Sequence, residues 1–296
     1  MSFRVNNSSH LYHGVLLTLG TIAYMHVPIR AYVKNLLSPN YCRHGVKDQL
    51  AAGATKLENG YHRRDQDDFC SPGELEREAK LVAEYIRNNC SETRVTVFLL
   101  QEVWSQVLYH VAKSLYNTHV NVQQCGTLGT TAVIVHVGAC VGNVRVTSLF
   151  NYDLSKECRG KSCASSIKAV NNISCASVTV GSTRHLFISG HVPFQRACDE
   201  TYFYWLYSLV ATYIENYAVH LGWDLSTYWA KSKILQEFEK TFDNVLHATE
   251  HNPAGGLWTT GICSTWRIVP AEPENMYWRS DHTEFLCVEL CSDDES

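Results

Sequence analysis

Clusters of positive charge are missing from this sequence, as are cysteines in C-x-x-C spacing and any apolar run long enough to cross a membrane. Its 25 Lys and Arg are outnumbered by 29 Asp and Glu, for a formal net charge of −4, and cations gather only in pieces such as Arg63-Arg64 and Arg159-Gly160-Lys161. A chain whose main task is tight nucleic-acid binding concentrates Lys and Arg on one face, so that class is disfavoured. The 12 cysteines, from Cys42 to Cys291, include no C-x-x-C pair, which argues against a structural zinc site and a dithiol redox motif. His110, His119, His136, His185 and His220 show no H-x-x-x-H or Cys/His grouping with metal spacing, so structural or surface roles are expected for them. The apolar stretch from Gly14 to Val27 is too short for a membrane span and lacks a small-residue cleavage site. It reads instead as a first buried strand over Val15–Tyr24.

What is present suffices for a substantial core: 296 residues, 45% of them hydrophobic. No repeat or low-complexity linker divides the chain, so one domain over residues 1–296 is expected, with a long excursion at about 28–73. N-x-S sequons at Asn7, Asn89 and Asn172 fit a secreted chain, and Cys158 and Cys163 stand close enough in sequence for a local disulfide. Both features also fit a reducing compartment, and the sequence leaves secreted, luminal and cytoplasmic locations open.

Ser71-Pro72-Gly73-Glu74 opens a helix, with a serine cap, an early proline and acidic residues at the positive end of the dipole. Leu75, Ala79, Val82, Ala83 and Ile86 keep one apolar face, and Asn88-Asn89 marks the end. A β-branched run, Arg94–Leu100, then delivers Gln101-Glu102-Val103-Trp104, and a second helical pattern runs from Trp104 to Leu115. Short strands are expected at Thr131–Val137, Val141–Phe150 and Ser174–Val180. Further strands fall at His185–Gly190, ending in His191, and at Ala218–Gly222, ending in Trp223-Asp224. Between these two lies an aromatic-rich helix, Asp199–Tyr217. Its tyrosines suit packing on a sheet, with a lipid-facing platform as the alternative. A helical piece near Lys231–Leu246 and strands at Ile262–Val269 and Glu284–Leu290 complete the chain.

Strand ends thus deliver Glu102, His191, Asp224 and the Asp281-His282 pair. Carboxylates are the natural ligands of magnesium, a hard cation that bridges substrate phosphate oxygens. A histidine beside a carboxylate can serve as a general base near neutral pH. Any one of these residues alone is unremarkable: a glutamate after a strand is usually solvated, and a histidine there usually bonds to backbone. Their recurrence in order is the signal, and it describes metal-assisted attack of water on a phosphodiester.

Phe98-Leu99-Leu100-Gln101-Glu102-Val103-Trp104 resembles the strand that carries the metal glutamate in the endonuclease/exonuclease/phosphatase superfamily. Ser280-Asp281-His282 resembles that superfamily's C-terminal motif, Gly190-His191-Val192-Pro193 its Thr-His-Leu segment, and Leu221–Ser226 a degraded Gly-Asp-x-Asn motif. The resemblance implies an α/β fold, a four-layer sandwich of two packed, mostly antiparallel β-sheets flanked by helices. It implies Glu102 as Mg2+ ligand, His191 as phosphate contact, Asp224 as transition-state or water-positioning carboxylate, Asp281 as orienting partner and His282 as general base. Within the superfamily, Leu-Gln-Glu-Val-Trp-Ser looks closest to neutral sphingomyelinases, with a membrane phospholipid as substrate. Pancreatic-type deoxyribonucleases, with DNA as substrate, are the second neighbour. Three positions depart from the pattern: Thr21 stands for the first-strand asparagine, Ser226 for the asparagine of Gly-Asp-x-Asn, and Thr259 or Thr260 for an aspartate. Serine and threonine cannot present asparagine's carbonyl and amide together, so the sequence also admits a catalytically weakened relative kept as a binding protein.

Overall fold

The computed structural model describes residues 27–36, 72–115, 117–125, 128–153, 172–191, 206–225, 236, 240–251, 257–272 and 286–292. They form twelve strands in two six-stranded sheets. The first sheet runs in the order β11 (Arg267–Pro270), β12 (Leu286–Cys291), β1 (Ile29–Asn35), β2 (Val95–Val103), β4 (Leu128–Val137), β3 (Thr118–Cys125). The second runs β5 (Val144–Asp153), β6 (Asn172–Val180), β7 (Thr183–His191), β8 (Ala218–Leu225), β10 (Leu257–Ser264), β9 (Asn244–His251). All neighbours pair antiparallel except β1 with β2 and β7 with β8. The four-layer sandwich implied by the resemblance is therefore the architecture observed.

The period of two along each strand builds the layers. Ile29, Ala31 and Val33 of β1, with Val95, Val97 and Leu99 of β2, face the second sheet and meet Ala176, Val178, Phe187 and Ile262. Tyr32 and Leu36, with Phe98 and Leu100, face the other way, onto Val82, Ala83 and Ile86 of helix α1 (Pro72–Asn89) and Val107 and Val111 of α2 (Ser105–Ser114). On the far side, Leu206, Leu209 and Val210 of the helical residues 206–213 cover Leu186, Ile188, Leu221 and Trp223. Tyr213 and Tyr217 pack against the same cluster. In its described part the aromatic-rich helix thus lies on a sheet. Central strands buried on both faces read as continuous apolar runs, as the all-buried pattern of β2 shows.

Several sequence expectations change. The span Ile262–Val269 is two strands rather than one: β10 ends at Ser264, the chain turns at Thr265-Trp266, and β11 joins the opposite sheet. Residues 244–246, placed in a helical piece, belong to β9, while β3 follows α2 where no strand was expected. The strand expected at Val15–Tyr24, the Cys158–Cys163 loop and most of the 28–73 excursion lie outside the described residues. Immediately after Pro28, however, the chain forms β1. Asn89 is fully buried and donates its Nδ2 to the Tyr85 carbonyl at 2.9 Å, so its sequon cannot accept a glycan in this fold. Among the described residues, Cys140, Cys287 and Cys291 are free thiols. No helix among the described residues is long and apolar enough to cross a membrane.

Candidate metal centre

Both parallel strand pairs end at the same edge of the sandwich, and the inter-sheet layer turns polar there. In the first sheet Asn35, the last residue of β1, is in register with Gln101 of β2. In the second sheet His191, the last residue of β7, is in register with Asp224 of β8, which in turn faces Thr260 of β10.

Strict alternation would send Glu102 outward with Phe98 and Leu100, into the helices. It does not, because β2 carries a bulge. Leu100 pairs with Ala132 and Val103 with Thr130, leaving Gln101 and Glu102 opposite the single residue Thr131. Glu102 takes up the extra residue with φ of 55°, a left-handed conformation that side chains other than glycine seldom adopt. The bulge turns two consecutive side chains into the inter-sheet layer. Residues held in this region cost about 1–3 kcal/mol and gather at functional sites.

The geometry that results is tight. Asn35 Nδ2 donates to Asp224 Oδ2 at 2.6 Å and to Glu102 Oε1 at 3.1 Å, bridging the two carboxylates. His191 Nε2 lies 3.5 Å from Asp224 Oδ2 and 3.7 Å from Glu102 Oε1. The ligand atoms of Glu102, His191 and Asp224 all fall within 4.8 Å of one another, close enough to share one metal ion. All four residues are buried, with exposures of 1% for Asn35, 4% for Glu102, 2% for His191 and 6% for Asp224. Two carboxylates held this close in a shielded place repel, and a neutral amide cannot balance them. A divalent cation with oxygen preference suits that donor set.

The structure thus brings together three of the five site residues expected from the sequence: Glu102, His191 and Asp224. Asp281, His282 and Ser226 lie outside the described residues, as does Thr21. The sequence analysis did not single out Asn35, which stands beside Glu102 at the end of β1. Thr260 of β10 is buried opposite Asp224.

No family model matches the sequence, and no curated protein matches it either. Solved structures do. An endonuclease/exonuclease/phosphatase protein from Bacteroides vulgatus superposes with a TM-score of 0.55 at 11% identity, covering 90% of this chain and 100% of its own. A mannosyl-6-phosphatase from Bacteroides thetaiotaomicron gives 0.54 at 10% identity, covering 88% of this chain and 98% of its own. The human Nocturnin catalytic domain, solved with a bound sulfate anion, gives 0.50 at 10% identity, covering 89% and 94% respectively. Identities this low speak for architecture alone. The chain has the α/β sandwich fold of endonuclease/exonuclease/phosphatase proteins, with a buried cluster able to hold a metal ion where its two parallel strand pairs end.

Proposed function

We propose that the chain is a magnesium-dependent phosphodiesterase. The observation that carries this reading is the convergence of Asn35, Glu102, His191 and Asp224, from four strands of two sheets, on one buried point. Glu102 would hold the ion, with Asn35 able to turn its carbonyl oxygen toward it. Bound there, a divalent cation supplies positive charge to the phosphate oxygens as negative charge grows on them. His191 would donate to a non-bridging phosphate oxygen. Asp224 would fix the imidazole and orient the attacking water. His282, oriented by Asp281, would take the proton from that water. The finding of Asn35 supports retained activity, because it places an asparagine beside Glu102.

For the substrate we favour a sphingomyelinase-like phospholipase C reaction, which releases a phosphorylated head group from a membrane phospholipid. The support is the sequence Leu100-Gln101-Glu102-Val103-Trp104-Ser105 and the low basic charge, which disfavours DNA as the main ligand. A second reading, a catalytically weakened relative that binds rather than cleaves, rests on Thr260 facing Asp224 where an aspartate would be expected.

The purified protein, incubated with choline-labelled sphingomyelin, plasmid DNA or a hexose 6-phosphate, in magnesium or EDTA, separates these readings. Magnesium-dependent release of phosphocholine, lost in Glu102→Ala and His282→Ala, is the expected result. Turnover of DNA or of the sugar phosphate alone overturns the lipid preference, and no magnesium-dependent turnover of any substrate overturns the enzyme reading in favour of the binding one.

A further inference from the structure

The left-handed turn at Glu102 has to be held against its own strain, and what holds it comes largely from the opposite sheet. By opening the ladder between β2 and β4, the bulge withdraws backbone groups near Leu100 from regular pairing. Ser189 Oγ, on β7, donates across the inter-sheet layer to the Leu100 carbonyl at 2.9 Å. The same oxygen accepts Gln101 Nε2 at 3.1 Å, and that amide also donates to the Leu99 carbonyl at 3.2 Å. Two acceptors on one side fix the amide with its NH2 toward Ser189. Just past the end of β1, the Leu36 amide donates to the Gln101 carbonyl at 3.0 Å. Gln101 and Ser189 are both fully buried.

We infer that Ser189, acting through Gln101 and the Leu100 carbonyl, is the positioning residue that sets where the Glu102 carboxylate reaches. Ser189 touches none of the four candidate ligands in any hydrogen bond seen here, yet it lies two residues before His191 on the same face of the same strand. One strand therefore presents the histidine and pins the bulge that aims the carboxylate, so the two sheets cannot slide without both responding. A hydrogen-bond partner directly behind a metal ligand typically carries 10–100-fold in metal affinity, and Ser189, which acts one residue further back, is assigned the lower end of that range. The inference rests on the metal-site reading proposed above.

The test is Mn2+ titration by calorimetry on the full chain, with folding measured separately by urea unfolding in EDTA. Ser189→Ala is expected to weaken Mn2+ binding about tenfold, and Ser189→Thr, which keeps the hydroxyl, to recover most of it. Ser264→Ala removes an equally buried serine near the start of β8, far from the cluster. It should lower the urea midpoint while leaving Mn2+ affinity unchanged. If Ser189→Ala loses stability but binds Mn2+ like the parent, Ser189 is merely structural and the inference is overturned. If the folded parent binds no Mn2+, the metal-site reading falls and the inference with it. A Ser189→Ala chain that does not fold shifts the comparison to Gln101→Glu. That variant keeps the side-chain shape but cannot donate to Ser189 and Leu99 together, and parent-like Mn2+ affinity in it overturns the inference equally.

Discussion

At the scale of single residues, Glu102 sets function against stability. Glycine adopts φ of 55° without strain, and replacing the carboxylate also removes a buried charge beside Asp224. Glu102→Gly is expected to stabilise the fold by about 1 kcal/mol, read as a higher urea midpoint in EDTA, while abolishing Mn2+ binding. An equal or lower midpoint would mean that the bulge depends on the carboxylate's own bonds. Glu102, His191 and Asp224 were legible in the sequence because each closes an apolar strand, and polar residues there stand out. Asn35 was missed for a physical reason. Its strand, Ile-Arg-Ala-Tyr-Val-Lys-Asn, carries two cations in seven positions and reads as less buried than the run at 15–24, yet in the fold it is a central strand. Arg30 is accommodated by an ion pair with Glu289 on the neighbouring strand, and Lys34 is 1% exposed. The available signal was an asparagine closing a β-branched and aromatic stretch that begins just after a proline.

At the scale of elements, the spacing between the sheets is set tightly under the site. A Cβ added to Gly222, two residues before Asp224 on β8, would lie 2.8 Å from Leu99 Cβ and Cδ1 and 3.0 Å from Val33 Cγ2. Gly222→Ala must push the sheets apart or bend β8, and a cost of about 1–3 kcal/mol is expected from overpacking, seen as a lower urea midpoint. Because the displaced strand carries Asp224, Mn2+ affinity should fall with it. Near the starts of β7 and β8, the same layer holds a different polar group. His185 Nδ1 meets His220 Nε2 at 3.0 Å, and His220 Nδ1 meets Ser264 Oγ at 2.8 Å, between the rings of Phe187 and Trp266. Burial, reinforced by His185, holds the His220 pKa well below the ordinary histidine value. The folded-state pKa thus lies under the unfolded one, so the unfolded chain binds the proton more readily. Stability is full above about pH 6.5 and falls as pH drops below it, by up to about 1.4 kcal/mol per pH unit for one proton. Urea midpoints from pH 8 to pH 5 should show this fall, and His220→Asn should flatten it. The strands that escaped sequence reading, β3 and β9, are both sheet edges. An edge strand pairs on one side only and tolerates polar residues, so Thr-His-Val-Asn-Val-Gln-Gln-Cys and Asn-Val-Leu-His-Ala-Thr-Glu-His lack the apolar density that marks β2.

At the scale of the whole molecule, the alternation of buried and outward residues along β2 and β7 is written in the sequence, but membership of a sheet is not. Nothing in the composition of Ile262–Val269 says that β10 and β11 part company at Trp266, because a crossing between sheets is decided by what each half packs against. A metal that binds only the assembled sandwich stabilises it by mass action. Mn2+ at a hundredfold excess over its dissociation constant should add about 2.7 kcal/mol to the unfolding free energy, and Glu102→Ala should abolish the increment.

The two parallel pairs, β1 with β2 and β7 with β8, also determine when the cluster can exist during folding. Parallel neighbours are closed by long intervening segments, here residues 36–94 and 192–217, and contacts of such separation form late. Each pair holds half of the cluster, Asn35 with Glu102 in one and His191 with Asp224 in the other. A chain that has completed only one sheet has half a site and no use for a cation. In a refolding experiment, Mn2+ capture should therefore lag behind the recovery of β-sheet circular dichroism and coincide with the last step, when the two sheets close face to face. The ion would then act as a clock hand for the end of folding rather than as a seed for its beginning.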